Sequence, residues 1–106
     1  MIKVITGDSA AFNFAIVYPG AVDGMPTPDL SNTTAVFALK QGKTLVEKSI
    51  VNSDTNILTF TFTPEETEAL PIGAYDACCK IYYGEEATTV WLDKIIVIKG
   101  VLDANV

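Results

Sequence analysis

The chain has 106 residues, with 7 Lys, no Arg, no His and 13 Asp plus Glu, for a formal net charge of −6. Without His there is no His-based acid–base pair, no Ser-His-Asp or Cys-His nucleophile system and no His-containing zinc site. Without Arg there is no planar fork to grip phosphate or guanine, and an acidic chain is repelled by nucleic acids and anionic membrane surfaces.

The length suits one domain, because domains run to roughly 100–200 residues. A 49% hydrophobic and 19% charged composition supplies one core and argues against disorder. No stretch approaches the roughly 18–20 uninterrupted apolar residues of a membrane span. The start, Met1 to Asp8, lacks a basic region followed by an apolar core, so no signal peptide is expected and synthesis in a cytoplasm is. One domain over 1–100 and a tail over 101–106 are predicted.

Period-two alternation dominates, with Val, Ile, Thr, Phe and Tyr broken by turn residues at short intervals, which is the pattern of an all-β domain. A first strand is predicted over Ile2–Thr6 and a second over Ala10–Tyr18, where Phe12, Phe14 and Ile16 share a face. Pro19 to Asn32 is the one long loop, rich in Pro, Gly and Asp. A third strand, Thr34–Gln41, and a fourth, Thr44–Val51, flank the hairpin turn Gln41-Gly42-Lys43. Glu47 and Lys48 put a charge on each face of the fourth, which suits a sheet edge.

The fifth strand, Ile57–Thr63, alternates Leu58, Phe60 and Phe62 with threonines. Thr63-Pro64-Glu65-Glu66 then reads as a capping box with Pro at the first helical position, predicting one or two turns over Pro64–Leu70 before Pro71 and Gly73. The sixth strand, Ala74–Tyr83, sets Tyr75, Ala77, Cys79 and Ile81 against Asp76, Cys78, Lys80 and Tyr82. The seventh, Ala87–Lys99, is apolar on both faces: Val90, Leu92, Ile96 and Ile98 on one, Trp91, Ile95 and Val97 on the other. A bulge at Asp93-Lys94 that exchanges inside for outside is the preferred explanation; a second chain covering part of the outer face is the other.

About seven antiparallel strands and one short helix before the sixth predict an immunoglobulin-like β-sandwich. Leu70 to Tyr75 reads as a tyrosine corner, in which the Tyr hydroxyl bonds back to upstream backbone. The expected sheets are strands one, two, five and four against three, six and seven. The expected core is Phe12, Phe14, Ile16, Phe37, Leu39, Leu58, Phe60, Phe62, Tyr75, Ala77, Cys79 and Ile81.

Chemistry-bearing clusters are sparse. Adjacent Cys78 and Cys79 would point to opposite faces of a strand and read as two reduced thiols, one buried and one outward. Glu65, Glu66 and Glu68 read as a solvated helix start rather than a cation site. Asp23 and Asp29 could hold calcium from the long loop, but they lack the EF-hand pattern and the six to eight oxygens calcium takes. No catalytic residue, cofactor site or metal site is predicted. Tyr82 and Trp91 are the candidate protein-contact residues, as an outward aromatic patch on the sheet of strands three, six and seven.

Four segments carry a family resemblance: Gly7-Asp8 leading into an alternating strand, Asp29 to Leu39, Leu58 to Thr67, and Leu70 to Tyr75. Together, over roughly residues 4–99, they resemble the N-terminal domain of phage upper baseplate proteins and related small immunoglobulin-like domains of tailed phages and prophages. The resemblance implies a virion part in the tail, without catalysis or cofactor. It also implies other phage structural proteins as partners, and a symmetric homo-oligomer as a possible form. A non-viral bacterial immunoglobulin-like binding module is the alternative.

Overall fold

A computed structural model describes residues 1–18, 20, 22 and 24–100. The predicted Asp23 and the tail over 101–106 lie outside the described residues. The chain forms seven strands and one short helix: β1 (Ile2–Ile5), β2 (Ala10–Ala15), β3 (Thr34–Gln41), β4 (Thr44–Val51), β5 (Ile57–Phe62), α1 (Pro64–Glu68), β6 (Gly73–Tyr83) and β7 (Glu86–Ile98). They build a five-stranded sheet, ordered β1-β7-β6-β3-β4, faced by the two-stranded sheet β2-β5. The architecture is the expected all-β sandwich.

Two strands sit in a different sheet from the one expected. β4 lies beside β3 because only Gly42 and Lys43 separate the paired residues Gln41 and Thr44. A two-residue loop cannot carry the chain to a second sheet roughly 10 Å away. Gly42 takes φ +57°, which an L side chain adopts only with strain. β1 joins the far edge of the same sheet and runs parallel to β7, with Val4 opposite Val97, so not every pairing is antiparallel. β4 is an edge strand, as its two charges suggest.

The core forms where the aromatic face of β2-β5 meets β3 and β6. Ten of the twelve expected core residues are buried; Phe14 and Ile16 are half-buried at the margin. Val4, Leu30, Ala35, Leu70, Ile95 and Val97 complete the core from β1, β3, β7 and two loops.

The irregularity in β7 lies at Val90, not at Asp93-Lys94. Cys79 opposes Trp91 while Lys80 opposes Thr89, so Val90 is an extra residue on the β7 side. From Trp91 to Val97 the odd residues then face inward without a break.

Helix α1 begins as expected: Thr63 accepts from the Glu66 N–H, and the Glu66 carboxylate accepts from the Thr63 N–H. It ends two residues earlier, at Glu68, and the backbone then turns Leu70 into the core.

Candidate functional site

The two predicted contact residues lie on opposite faces of the large sheet. Tyr82 is exposed on the outer face. Trp91 is half-buried on the inner face, 5.3 Å from the Phe14 ring and 6.0 Å from Phe37 between centroids. The cause is the Val90 bulge. Continuing the pairing of Tyr82 with Ala87 without a shift would set Trp91 against outward-facing Cys78; the extra residue sets it against inward-facing Cys79. Tyr82 and Trp91 therefore form no common patch.

Several of the other charged residues have partners within the fold. Lys48 pairs with the Glu66 carboxylate and sits 4.9 Å from the Phe62 ring centroid. That ammonium, followed by the Thr63 N–H, holds the Glu66 carboxyl below its usual range. Asp29 accepts from the Ser31 N–H at 3.0 Å, which lowers its carboxyl in the same sense. Lys94 pairs with Asp76. Among the described residues no group of three or more His, Cys, Asp or Glu is placed to hold a metal ion.

Cys79 is fully buried on the inner face, and burial, with a smaller contribution from Cys78, pushes its thiol up to about 11. A thiol so far from thiolate is a poor nucleophile at neutral pH. Cys78 is half-buried on the outer face, between Ala38 and Leu92 in register.

Thr67 was not singled out by its sequence context, yet it is fully buried. Its hydroxyl donates toward the carbonyls of Asp8 and Pro64 and accepts from the Gly7 N–H, joining α1 to the β1–β2 turn. A fourth-position helical threonine in an acidic run looks like a surface residue, and only the turn 59 residues upstream makes it otherwise.

Three surfaces remain available for contact. The outer face of the five-stranded sheet carries Lys3, Lys40, Lys80 and Lys94 against Glu47 and Asp76, and so is locally basic on an acidic chain. Its centre includes Leu92, 72% exposed. A groove of about 940 Å³ lies between Tyr18, Leu30, Ile81 and Tyr83 at one end of the sandwich. A second, of about 510 Å³, runs between the edge of β2 and β7, bordered by Ile2, Phe14, Ile16, Val90 and Trp91.

No family model matches the chain, and no curated protein matches it. Solved structures do. The N-terminal domain of phage TP901-1 ORF48 is similar over 92% of this chain and 83% of that one, with a TM-score of 0.55 and 18% identity. A Bacteroides vulgatus protein described as a glycoside hydrolase is similar over 97% of this chain, with a TM-score of 0.59 and 16% identity. The chain spans only 17% of that protein's length. At these identities the likeness shows the fold, a β-sandwich that also occurs as a phage domain.

Proposed function

We propose that the chain is a non-enzymatic structural module of a phage or prophage tail, of baseplate type, that works through protein–protein contacts. The observation that carries this reading is the likeness to the phage TP901-1 ORF48 domain, which covers 92% of this chain and 83% of that one. The motifs that resemble phage baseplate domains coincide with elements that build the fold: the capping box of α1 and the tyrosine corner, whose Tyr75 hydroxyl donates to the Pro71 carbonyl.

The absence of catalysis is part of the proposal. The chain has no His and no Arg, Glu66 is held by Lys48 and the helix cap, and Cys79 is buried and protonated, which supports that part of the reading. Other phage structural proteins are the proposed partners, and the locally basic, partly apolar outer sheet face offers one surface for them. Among the described residues no helix is long and apolar enough to cross a membrane. The proposed location is the virion tail.

A second reading is a bacterial immunoglobulin-like binding module. The likeness to one segment of the much longer Bacteroides protein favours it. The two readings separate on purified particles. Peptides of this chain in mass spectra of density-purified tails, with its gene among tail genes, support the first. Absence from the particles, with the gene among surface-anchor genes, overturns it.

A further inference from the structure

The outer face of the five-stranded sheet has a charge balance opposite to that of the rest of the chain. Lys94, Asp76 and Lys40 form one row in register across β7, β6 and β3. Leu92, Cys78 and Ala38 form the next, an uncharged row that ends at Glu47 on β4. Thr89, Lys80 and Val36 form the row beyond it. Successive rows on one face are two residues, or roughly 7 Å, apart. Lys3, opposite Ile96, faces the same way from β1. The face thus holds four lysines against two carboxylates, whereas the remaining sequence holds three lysines against eleven.

Three of the four lysines are uncommitted. Lys94 pairs with Asp76, but among the described residues Lys3, Lys40 and Lys80 make no ion pair. Leu92 is largely exposed beside them. An apolar row flanked by ammonium groups has the anatomy of a protein contact, with an apolar centre and a charged rim. A nucleic acid fits it poorly: phosphates would leave the apolar row uncovered, the face has no Arg, and a chain of net charge −6 repels a polyanion. A second copy set face to face would bring one lysine surplus against another.

We propose that this face docks an acidic protein surface, whose carboxylates meet Lys40 and Lys80 on either side of an apolar side chain seated on Leu92, Cys78 and Ala38. The inference rests on the reading that the chain works through protein contacts, and not on its place in a tail. Charge complementarity selects the occupant. Rim contacts between ammonium and carboxylate groups speed encounter and reject basic partners, while covering the apolar row supplies affinity. The rest of the chain sharpens the choice of face: its carboxylate excess repels the same acidic partner elsewhere.

Carbodiimide coupling, which joins a lysine amine to a carboxylate in direct contact, tests the proposal on the full tagged chain in extracts of cells that express its gene. The expected product joins Lys40 or Lys80 to an Asp or Glu of one other protein, assigned at both residues by mass spectrometry. Cys78 reports on the apolar row: its alkylation by a maleimide slows about tenfold or more in the bound chain, while Cys79 is buried with or without a partner. Lys40→Glu and Leu92→Asp, both at exposed positions, keep the wild-type urea midpoint and each reduce coupling at Lys80 about tenfold or more. Lys99→Glu makes the same charge change off the face, beside Leu70 and Pro71, and leaves coupling unchanged. A coupled protein that is not a tail component sinks the tail reading and leaves this one standing. Coupling only through Lys43 or Lys99, coupling to a second copy of this chain, or no coupled product overturns the proposal, as does a product that neither face variant reduces.

Discussion

Phe12 of β2 and Phe37 of β3 stack across the two sheets with ring centroids 4.6 Å apart and planes at 23°. Phe37 also stacks on Phe60 at 5.6 Å and meets Phe62 edge-on at 6.1 Å, so one ring joins both strands of the small sheet to the large one. Phe37 is fully buried and Phe60 nearly so. Truncating either to Ala removes a buried aromatic and leaves a cavity in a sandwich with few layers. A loss of about 3–5 kcal/mol in urea unfolding is expected for Phe37→Ala, and a similar loss for Phe60→Ala. A loss well under ~1 kcal/mol would place the ring outside the core.

Thr67→Val tests the junction between α1 and the β1–β2 turn. The replacement keeps shape and removes the hydroxyl, so the Gly7 N–H and Asp8 carbonyl lose their partner beside a buried site. A destabilisation of about 1–3 kcal/mol is expected, more than an ordinary helix-surface substitution gives. Faster exchange of the Gly7 amide in the variant checks that the cost arises at the turn.

The acid limb of stability should depend on Glu66. Its carboxyl is held below the usual range by the Lys48 ammonium first and the Thr63 N–H second. A carboxyl depressed in the folded state contributes stability above its unfolded value near 4.5, and that contribution is lost as pH falls through the lower folded value. Glu66→Gln should flatten the melting temperature between pH 5 and pH 3 relative to wild type. Thr63→Ala removes the cap hydroxyl as well, and about 1 kcal/mol is expected for that.

Much of this fold is legible in the strands themselves. β3 and β4 begin and end where the alternation and the Gly42 turn say they should, and Phe37, Leu39, Leu58, Phe60 and Tyr75 are buried as their phase requires. Local periodicity carries that information because it depends only on a strand having one buried face. Partner choice depends on residues far apart in the chain. That is why β1 ends beside β7, and why Leu30, inside a loop with no periodicity, enters the core. The candidate site was less legible. Tyr82 and Trp91 could be set on one face only by assuming an unbroken register, and a single extra residue at Val90 reverses that.

The alkaline limb should depend on Cys79. Its ordinary value is 9.0, and burial on the inner face, with Cys78 adding a smaller effect, raises it to about 11. The folded state therefore holds the thiol proton more tightly than the unfolded chain does. The associated stability is complete below about pH 9 and is lost as pH rises through about 11, an order-of-magnitude change of about 2 kcal/mol. Burial raises the Tyr75 hydroxyl in the same direction from its ordinary value of 10.0, so it steepens the same limb in every variant that keeps it. Cys79→Ala should be less stable than wild type at pH 8, where it lacks the buried sulfur, and the difference should shrink as pH rises toward 11. Cys78→Ala leaves the buried thiol in place and should retain most of the wild-type alkaline drop. Urea midpoints of the three proteins at intervals from pH 8 to pH 11 make the comparison, and a constant gap between wild type and Cys79→Ala would show that the thiol does not titrate against folding.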